Sequence, residues 1–187
     1  DSVNTIHNVT YNKTDSEDID IYLNYSKKLT DRYHTYDYSQ FENNDVIFED
    51  LNNFLTNYEV NDLGKKCVIH GDTVFTNIII NKYNKTKFID MRGKCGNILS
   101  IYGDWLYDWA KLYQSLIGYD KILMNKQISI EYEKQMIEAF ENYFIELFSY
   151  EDLINLKMIT KSLLFSLIPL HNNDKCSDYF NLINTIK

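Results

Sequence analysis

The chain has 187 residues, enough for one domain with a substantial core or for one large lobe of a two-lobed protein. Its formal net charge is -8 at pH 7 and its pI is near 4.9, which argues against a nucleic-acid partner because such a surface needs a basic stripe. No apolar run approaches transmembrane length and the polar, acidic start differs from a signal peptide, so we expect no membrane partner.

The number and spacing of the cysteines indicate the redox state of the cellular compartment. The three cysteines, Cys67, Cys95 and Cys176, have neither zinc-ligand spacing nor an even count. We therefore expect free thiols in a reducing compartment, and hence a cytoplasmic protein. No internal repeat and no Pro- or Gly-rich linker divides the chain, so residues 1–187 are interpreted as a single domain.

The first 60 residues predict two helices after an irregular start. Residues 1–14 are polar and suggest an extended lead-in. Helical spacing of apolar and aromatic residues predicts a helix over about 17–36, with Asp15 or Ser16 as its cap. A second helix is predicted over 44–58, with one apolar face formed by Val46, Ile47, Leu51, Phe54 and Leu55.

The most informative stretch runs from Cys67 to Asp90. A short apolar run over 66–69 predicts a buried strand, and 78–80 and 87–89 predict two strands joined by a polar turn. Antiparallel neighbours joined by a short loop bring their outer ends together, so this hairpin places Asn77 beside Asp90. Asp72 lies on the loop that leads to the same place.

Two carboxylates and one amide oxygen at strand ends are hard oxygen donors. They suit Mg²⁺ bound together with the phosphates of a nucleotide better than they suit zinc. Phosphoryl transfer requires such a metal site and an acid that aligns the attacking hydroxyl and accepts its proton.

These residues resemble a known family. His70-Gly71-Asp72, Asn77 five positions after the aspartate, and Ile89-Asp90 are similar to the HGDxxxxN and ID signatures of the aminoglycoside phosphotransferase and choline kinase family. The catalytic loop of protein kinases has the same Asp-to-Asn interval. The resemblance implies that Asp72 is the catalytic base, that Asn77 and Asp90 bind Mg²⁺ with ATP or GTP, and that His70 supports the loop.

A second match lies downstream. The segment 103–112, GDWLYDWAKL, resembles the family's GDxxxDLAKL helix start, which implies that Asp108 braces the catalytic loop. Asp104 is interpreted as the N-cap of that helix. With this segment, the resemblance covers roughly residues 45–120.

Two features between these motifs leave alternatives open. Arg92 follows Asp90 by two residues and could meet a phosphate oxygen or a substrate anion, or it could be an ordinary exposed arginine. Tyr102, Trp105 and Trp109 could form an aromatic box for a quaternary amine, although the helical stripe over 105–117 that contains the two tryptophans favours a core position.

The remaining sequence predicts helices. Segment 91–102 is predicted to be a loop. Ser129 is expected to cap a helix reaching about Phe148, and a capping box at Ser149 and Asp152 begins another that Pro169 stops at about Ile168. A last helix is expected from Asn173 or Asp174 to Ile186.

The predicted fold class is α+β and predominantly helical, the C-terminal lobe of a protein-kinase-like fold with a short β-hairpin at the catalytic loop. Residues 1–63 contain no glycine, so no Gly-rich phosphate loop is encoded there. We therefore expect an N-terminal lobe or upstream domain to be a partner of this chain.

The predicted function is transfer of the γ-phosphate of a nucleoside triphosphate to a hydroxyl of a small molecule such as choline, an aminoglycoside or a sugar. The alternative is a non-catalytic kinase-like module that binds a metabolite or a partner domain. Here the resemblance implies attachment to a nucleotidyltransferase in capsule or glycan synthesis. A protein kinase is a third interpretation, weakened by Gly71, where protein kinases carry arginine, and by the lack of an A-P-E segment.

Overall fold

The structure is a computed structural model that describes residues 2–9, 19–171 and 174–187. It is an α+β fold with 59% helix and 9% strand, which confirms the predicted coarse class. The helices are α1 (Ser2–His7), α2 (Ser26–Thr35), α3 (Asn44–Val60), α4 (Trp105–Leu116), α5 (Tyr119–Leu123), α6 (Ile130–Leu147), α7 (Tyr150–His171) and α8 (Cys176–Thr185). The strands are β1 (Lys66–Val68), β2 (Ile78–Ile80), β3 (Thr86–Phe88), β4 (Lys94–Cys95), β5 (Ile98–Leu99) and β6 (Tyr102–Asp104).

Helix α7 is the centre of the core. It packs against α4 and α8, and also against α2, α3 and α6. Its side chains are buried on several sides, among them Leu156, Leu164 and Ile168, as expected for a helix without a strong polar face. This helix is long and apolar enough to cross a membrane by length and composition, but 61% of its most apolar window is buried inside the fold. A core helix of a soluble protein has the same properties.

Pro169 does not stop α7, contrary to the prediction. The helix continues to His171, so the proline lies inside its last turn. Proline has no N–H to donate to the carbonyl four residues earlier, which here belongs to Phe165. The Tyr38 hydroxyl donates to that carbonyl at 2.9 Å, and the Arg32 guanidinium donates to the next carbonyl, that of Ser166. The Tyr38 hydroxyl therefore takes the place of the N–H that Pro169 lacks, and the helix continues past the proline.

The strands form three two-stranded antiparallel sheets. The hairpin of β2 and β3 pairs Ile78 with Phe88, which confirms the predicted hairpin next to Asn77. Segment 91–102 differs from the predicted loop, because it contains the small hairpin of β4 and β5. Strand β6 pairs with β1, with Gly103 opposite Cys67. That pairing places Asp104, just before α4, opposite Lys66 at the start of β1.

The N-terminal prediction was wrong in two places. Residues 2–7 form a helix rather than an extended lead-in, because Val3 packs in the core. Helix α2 begins only at Ser26, whose amide and hydroxyl both donate to the Glu59 carboxylate of α3. The predicted caps of this helix, Asp15 and Ser16, lie outside the described residues.

The other predicted helices agree more closely with the structure. Helix α3 is confirmed, with Leu51 and Leu55 buried, although Val46 is 58% exposed and does not belong to its buried face. Ser129 caps α6, since its hydroxyl accepts the Tyr132 amide at 3.1 Å. The last helix begins at Cys176 rather than at Asp174. The short α5 was not predicted, and Asn173 lies outside the described residues.

Candidate functional site

The loop 70–77 connects β1 to β2 and is held at its start by Asp108. The completely buried Asp108 carboxylate accepts the amides of His70 and Gly71 at 2.8 and 2.7 Å. It also lies 3.1 Å from His7 Nε2, which donates to it. The Thr73 hydroxyl donates to the backbone carbonyl of Asp108. The first turns of α4 therefore fix the conformation of the loop that carries Asp72.

The far end of the loop is held by a second buried carboxylate. The Phe75 amide, which begins a short 3₁₀ turn over 75–77, donates to Asp120 Oδ2 at 3.0 Å and to the Ser115 hydroxyl at 3.1 Å. Oδ1 of Asp120 is buried and has no partner among the residues that the structure describes. The segment between these two anchors contains Asp72 and leads directly to Asn77.

Asp72 and Asn77 are in direct contact. The Asn77 side-chain amide donates to Oδ2 of Asp72 at 3.0 Å and to its backbone carbonyl at 2.9 Å. Oδ1 of Asp72 lies 3.1 Å from Lys111 Nζ. The carboxylate is thus oriented from two sides, yet 39% of the side chain is exposed to solvent. An incoming hydroxyl can therefore reach it.

Asp90 follows β3 and faces solvent. Its backbone has φ +57°, the left-handed region, which a non-glycine residue adopts at some conformational cost. Two hydrogen bonds fix the chain on either side of it. The Ile89 amide donates to the Asn77 carbonyl at 3.0 Å, and the Arg92 amide donates to the His70 carbonyl at 2.9 Å. Asp90 is therefore held between the two ends of the loop that carries Asp72.

The donor set suits a magnesium–nucleotide complex rather than a metal ion bound by protein groups alone. Because Asn77 donates through its amide nitrogen, its oxygen is available as a ligand, and Asp90 adds an exposed carboxylate. No cluster of three or more His, Cys, Asp or Glu side chains suited to a metal ion occurs in the described ranges. Mg²⁺ in nucleotide sites commonly uses one or two carboxylates and takes its other ligands from phosphates and water. Asn77 and Asp90 fit that pattern.

His70 and Gly71 shape the loop. The His70 ring is buried against Phe88, and its Nδ1 accepts the Asp72 amide at 3.3 Å, while its buried Nε2 has no partner among the described residues. Gly71 has φ +79°, and a Cβ placed on it would lie 2.9 Å from the Cβ of Arg92. A side chain at this position would displace Arg92. The arginine that protein kinases carry at the position of Gly71 therefore has no space in this chain.

Asp104 lies at the N-cap position of α4, as the sequence predicts. Its buried carboxylate accepts the hydroxyls of Tyr25 and Tyr58 at 2.6 and 3.0 Å and the Lys65 amide at 2.9 Å. Burial raises the pKa of this carboxyl above its ordinary value, although these hydrogen bonds oppose the shift. Asp104 joins α2, α3 and β1 to the start of α4, and it supports the site without facing it.

Arg92 is not an ordinary exposed arginine. Its guanidinium donates to the Tyr107 hydroxyl at 2.7 Å, and Lys28 Nζ lies 3.4 Å from the same oxygen. Burial alone would raise the pKa of the Tyr107 phenol, but the charges of Lys28, Arg92 and Lys111 outweigh it and lower the pKa to about 8. Burial also lowers the pKa of Lys28 to about 8; Tyr107 opposes this shift, and the neighbouring cations add to it. The structure therefore concentrates positive charge beside the loop.

The two tryptophans belong to the core. Trp105 and Trp109 are 5% and 2% exposed, and both pack against Phe144 and Phe148 of the α6 region. They do not form an open box with Tyr102. The core position predicted from the helical stripe over 105–117 is therefore confirmed for both tryptophans.

Sequence reasoning missed four contributors to the site: His7, Lys28, Lys111 and Asp120. Lys111 had a detectable signal, because it lies three residues after Asp108 and so shares its helix face. His7, Lys28 and Asp120 had none, since each meets a residue far away in the sequence, 101 positions for His7 and Asp108.

Comparison of the chain with protein-family models, with curated proteins and with solved structures finds no match. The site must therefore be interpreted from its own geometry.

Proposed function

We propose that the chain is the catalytic lobe of a kinase-like phosphotransferase, which moves the γ-phosphate of ATP or GTP to a hydroxyl of a small molecule. The observation that carries the proposal is the contact of Asp72 with Asn77 inside a loop whose amides are fixed by Asp108. Residues of the motif that resembles the aminoglycoside phosphotransferase and choline kinase family thus lie in contact with one another, which supports the proposal.

Asp72 is the proposed general base. Its carboxylate accepts the proton of the acceptor hydroxyl as that oxygen attacks phosphorus, and the leaving nucleoside diphosphate takes the electron pair of the broken bond. Asn77 and Lys111 hold the two carboxylate oxygens in position. This positioning matters, because a misplacement of about 1 Å costs about 100-fold in rate.

Asn77 and Asp90 would hold the magnesium ion, which neutralises charge on the nucleotide phosphates when bound. Asn77 can serve both functions, since its amide nitrogen faces Asp72 and its oxygen remains available. The contribution of the chain is to present these oxygens from a hairpin whose ends are fixed by the Ile89 and Arg92 amides.

The test uses the natural protein that contains this chain, with a panel of small-molecule alcohols and labelled ATP and GTP. Asp72→Asn should reduce phosphoryl transfer by about 10²- to 10⁴-fold while magnesium–nucleotide binding stays nearly unchanged, because the amide cannot accept a proton. Asp90→Ala should instead abolish the magnesium-dependent part of nucleotide binding in calorimetry. Normal turnover by the Asp72→Asn protein would refute the assignment of the base.

A second candidate is a non-catalytic module that binds a partner domain. The observation in its favour is the exposed apolar surface of the two hairpins, where Ile80 is 64% and Leu99 is 79% exposed. The same surface is expected in a lobe that docks against an N-terminal lobe, so it does not exclude an enzyme. Magnesium-independent nucleotide binding together with no transfer to any alcohol would favour the module.

A further inference from the structure

A cavity of about 370 Å³ lies beside the loop, between α2 and the segment that follows Asp90. Lys28 and Arg32 of α2 line it from one side, and Arg92 and Asn97 line it from the other. Its volume falls in the range of about 300–1,000 Å³ that is usual for small-molecule sites. The lining is strongly basic, although the whole chain carries a net charge of -8.

Three cations of this cavity, Lys28, Arg32 and Arg92, have no carboxylate partner among the described residues. None of the ion pairs formed by described residues includes Lys28, Arg32 or Arg92. Lys27 and Asp31 also line the cavity, and they are paired with each other at 2.8 Å. The three inner cations donate hydrogen bonds to the Tyr107 hydroxyl and the Ser166 carbonyl. Half-buried like charges repel one another, so such a cluster is unfavourable unless an anion occupies it.

Side-chain contacts connect the lining of the cavity to Asp72, the proposed base. Arg92 packs against Gly71, the residue before Asp72, and its guanidinium reaches Tyr107. Tyr107 and Lys111 lie one turn apart on α4, and Lys111 contacts Asp72. A molecule bound among Lys28, Arg32 and Arg92 would therefore lie on the Arg92 side of the loop that carries Asp72.

We propose that this cavity binds a phosphate or carboxylate group of the acceptor, so that the substrate is an anionic alcohol rather than choline or an aminoglycoside. The two guanidinium groups and one ammonium group supply the planar and point-charge donors that bind such anions. The assignment of an acceptor rests on the proposed phosphotransferase function, whereas anion binding itself does not.

The position of the cavity favours the acceptor over the nucleotide as the source of the anion. Its lining comes from residues 23–32 and 92–98, and Asn77 and the β2–β3 hairpin do not contribute to it. The low pKa of Lys28 agrees with an anion site, because burial and the neighbouring cations disfavour its charge while no anion is bound.

The first measurement is the binding of inorganic phosphate to the chain by calorimetry and by thermal shift. Saturable binding is expected, and Lys28→Gln and Arg92→Gln should each weaken it about tenfold or more, since each removes a charge-assisted hydrogen bond. Without phosphate, the Lys28→Gln protein should melt no lower than the wild type, because the substitution relieves repulsion. Lys134→Gln, which removes the same charge from an exposed position of α6, is the matched control.

Three outcomes would overturn the anion site: no saturable binding, equal loss in the Lys134→Gln control, or a lower melting temperature of the Lys28→Gln protein without phosphate. The last result would show that Lys28 has a structural role with Tyr107. Either variant suffices for the test if the other fails to fold.

A second measurement identifies the source of the anion. Glucose 1-phosphate and glucose differ only by the phosphate, so the protein should bind the former with magnesium–ATP already present and should bind neither glucose nor choline comparably. Displacement of inorganic phosphate by magnesium–ATP would overturn the acceptor assignment in favour of the nucleotide. If the protein binds the anion but has no transferase activity, the proposed phosphotransferase function is rejected and the anion site stands.

Discussion

Lys111 Nζ lies 3.1 Å from Oδ1 of Asp72, so an ion pair joins α4 to the loop that carries the proposed base. The lysine side chain is 17% exposed and the aspartate is 39% exposed, a partly solvated pair. Such pairs contribute only about 0–1 kcal/mol to stability. The value of this contact therefore lies in positioning Asp72 rather than in holding the fold together.

Lys111→Met should separate these two effects. We expect the melting temperature to change little, while turnover falls by up to about 100-fold because Asp72 is then oriented by Asn77 alone. Steady-state kinetics of the natural protein and a thermal melt measure the two quantities. Lys134→Met controls for the loss of a lysine. Unchanged turnover would show that Asn77 suffices to position the base.

Asp108→Asn should destabilise the loop and the fold. The carboxylate accepts three donors, two amides and His7, whereas asparagine offers a single oxygen and turns an N–H₂ toward one of those donors. Leaving one buried donor unsatisfied costs about 1–3 kcal/mol. Urea unfolding measures that cost, and faster hydrogen exchange at the His70 and Gly71 amides would locate it.

The control for this experiment is Asp50→Asn on the exposed side of α3, which should change stability by less than about 0.5 kcal/mol. Equal stabilities of the Asp108→Asn and wild-type proteins would remove Asp108 as the brace of the loop.

The elements that the sequence predicted well are those whose signals are local. Helix α6 has a serine cap and acids in its first turn, and the hairpin of β2 and β3 has a polar turn between two short apolar runs. The starts of α1 and α2 could not be predicted in this way. They depend on Val3 entering the core and on Glu59 accepting both donors of Ser26.

The same distinction between local signals and contacts of distant residues applies to the candidate site. Asp72, Asn77 and Asp108 lie in two short motifs with meaningful spacing, and in the structure Asp108 of α4 contacts the loop that carries the other two. The basic cavity could not be predicted, because it joins Lys28 to a tyrosine 79 residues away. The net charge of -8 does not reveal such a cavity either, because the total charge of a chain does not describe local clusters of charged side chains.

Tyr38 and Pro169 should be energetically coupled. Tyr38→Phe leaves the buried carbonyl of Phe165 without its hydroxyl donor, which should cost about 1–3 kcal/mol. Pro169→Ala restores an N–H that can donate to that same carbonyl. In the Pro169→Ala background, the cost of Tyr38→Phe should therefore fall. A double-mutant cycle in urea measures the coupling, and additivity within about 0.5 kcal/mol would contradict it.

Tyr107 should ionise about two pH units below an ordinary tyrosine. Burial opposes ionisation, but Lys28, Arg92 and Lys111 together lower its pKa to about 8. A titration followed by phenolate absorbance should show one of the 16 tyrosines ionising near pH 8. Tyr107→Phe should remove that phase and Tyr83→Phe, at an exposed position, should leave it in place. Lys28→Gln should move the phase to higher pH.

The same shift predicts how stability depends on pH. The pKa of Tyr107 is lower in the folded chain than its unfolded value near 10, so the unfolded chain binds more protons between about pH 8 and 10. The contribution of ionised Tyr107 is complete above about pH 10 and is lost as the pH falls through about 8. Relative to Tyr107→Phe, the free energy of unfolding of the wild type should therefore rise across that interval. A constant difference in urea unfolding at pH 7, 8, 9 and 10 would show that the three cations do not act on this phenol.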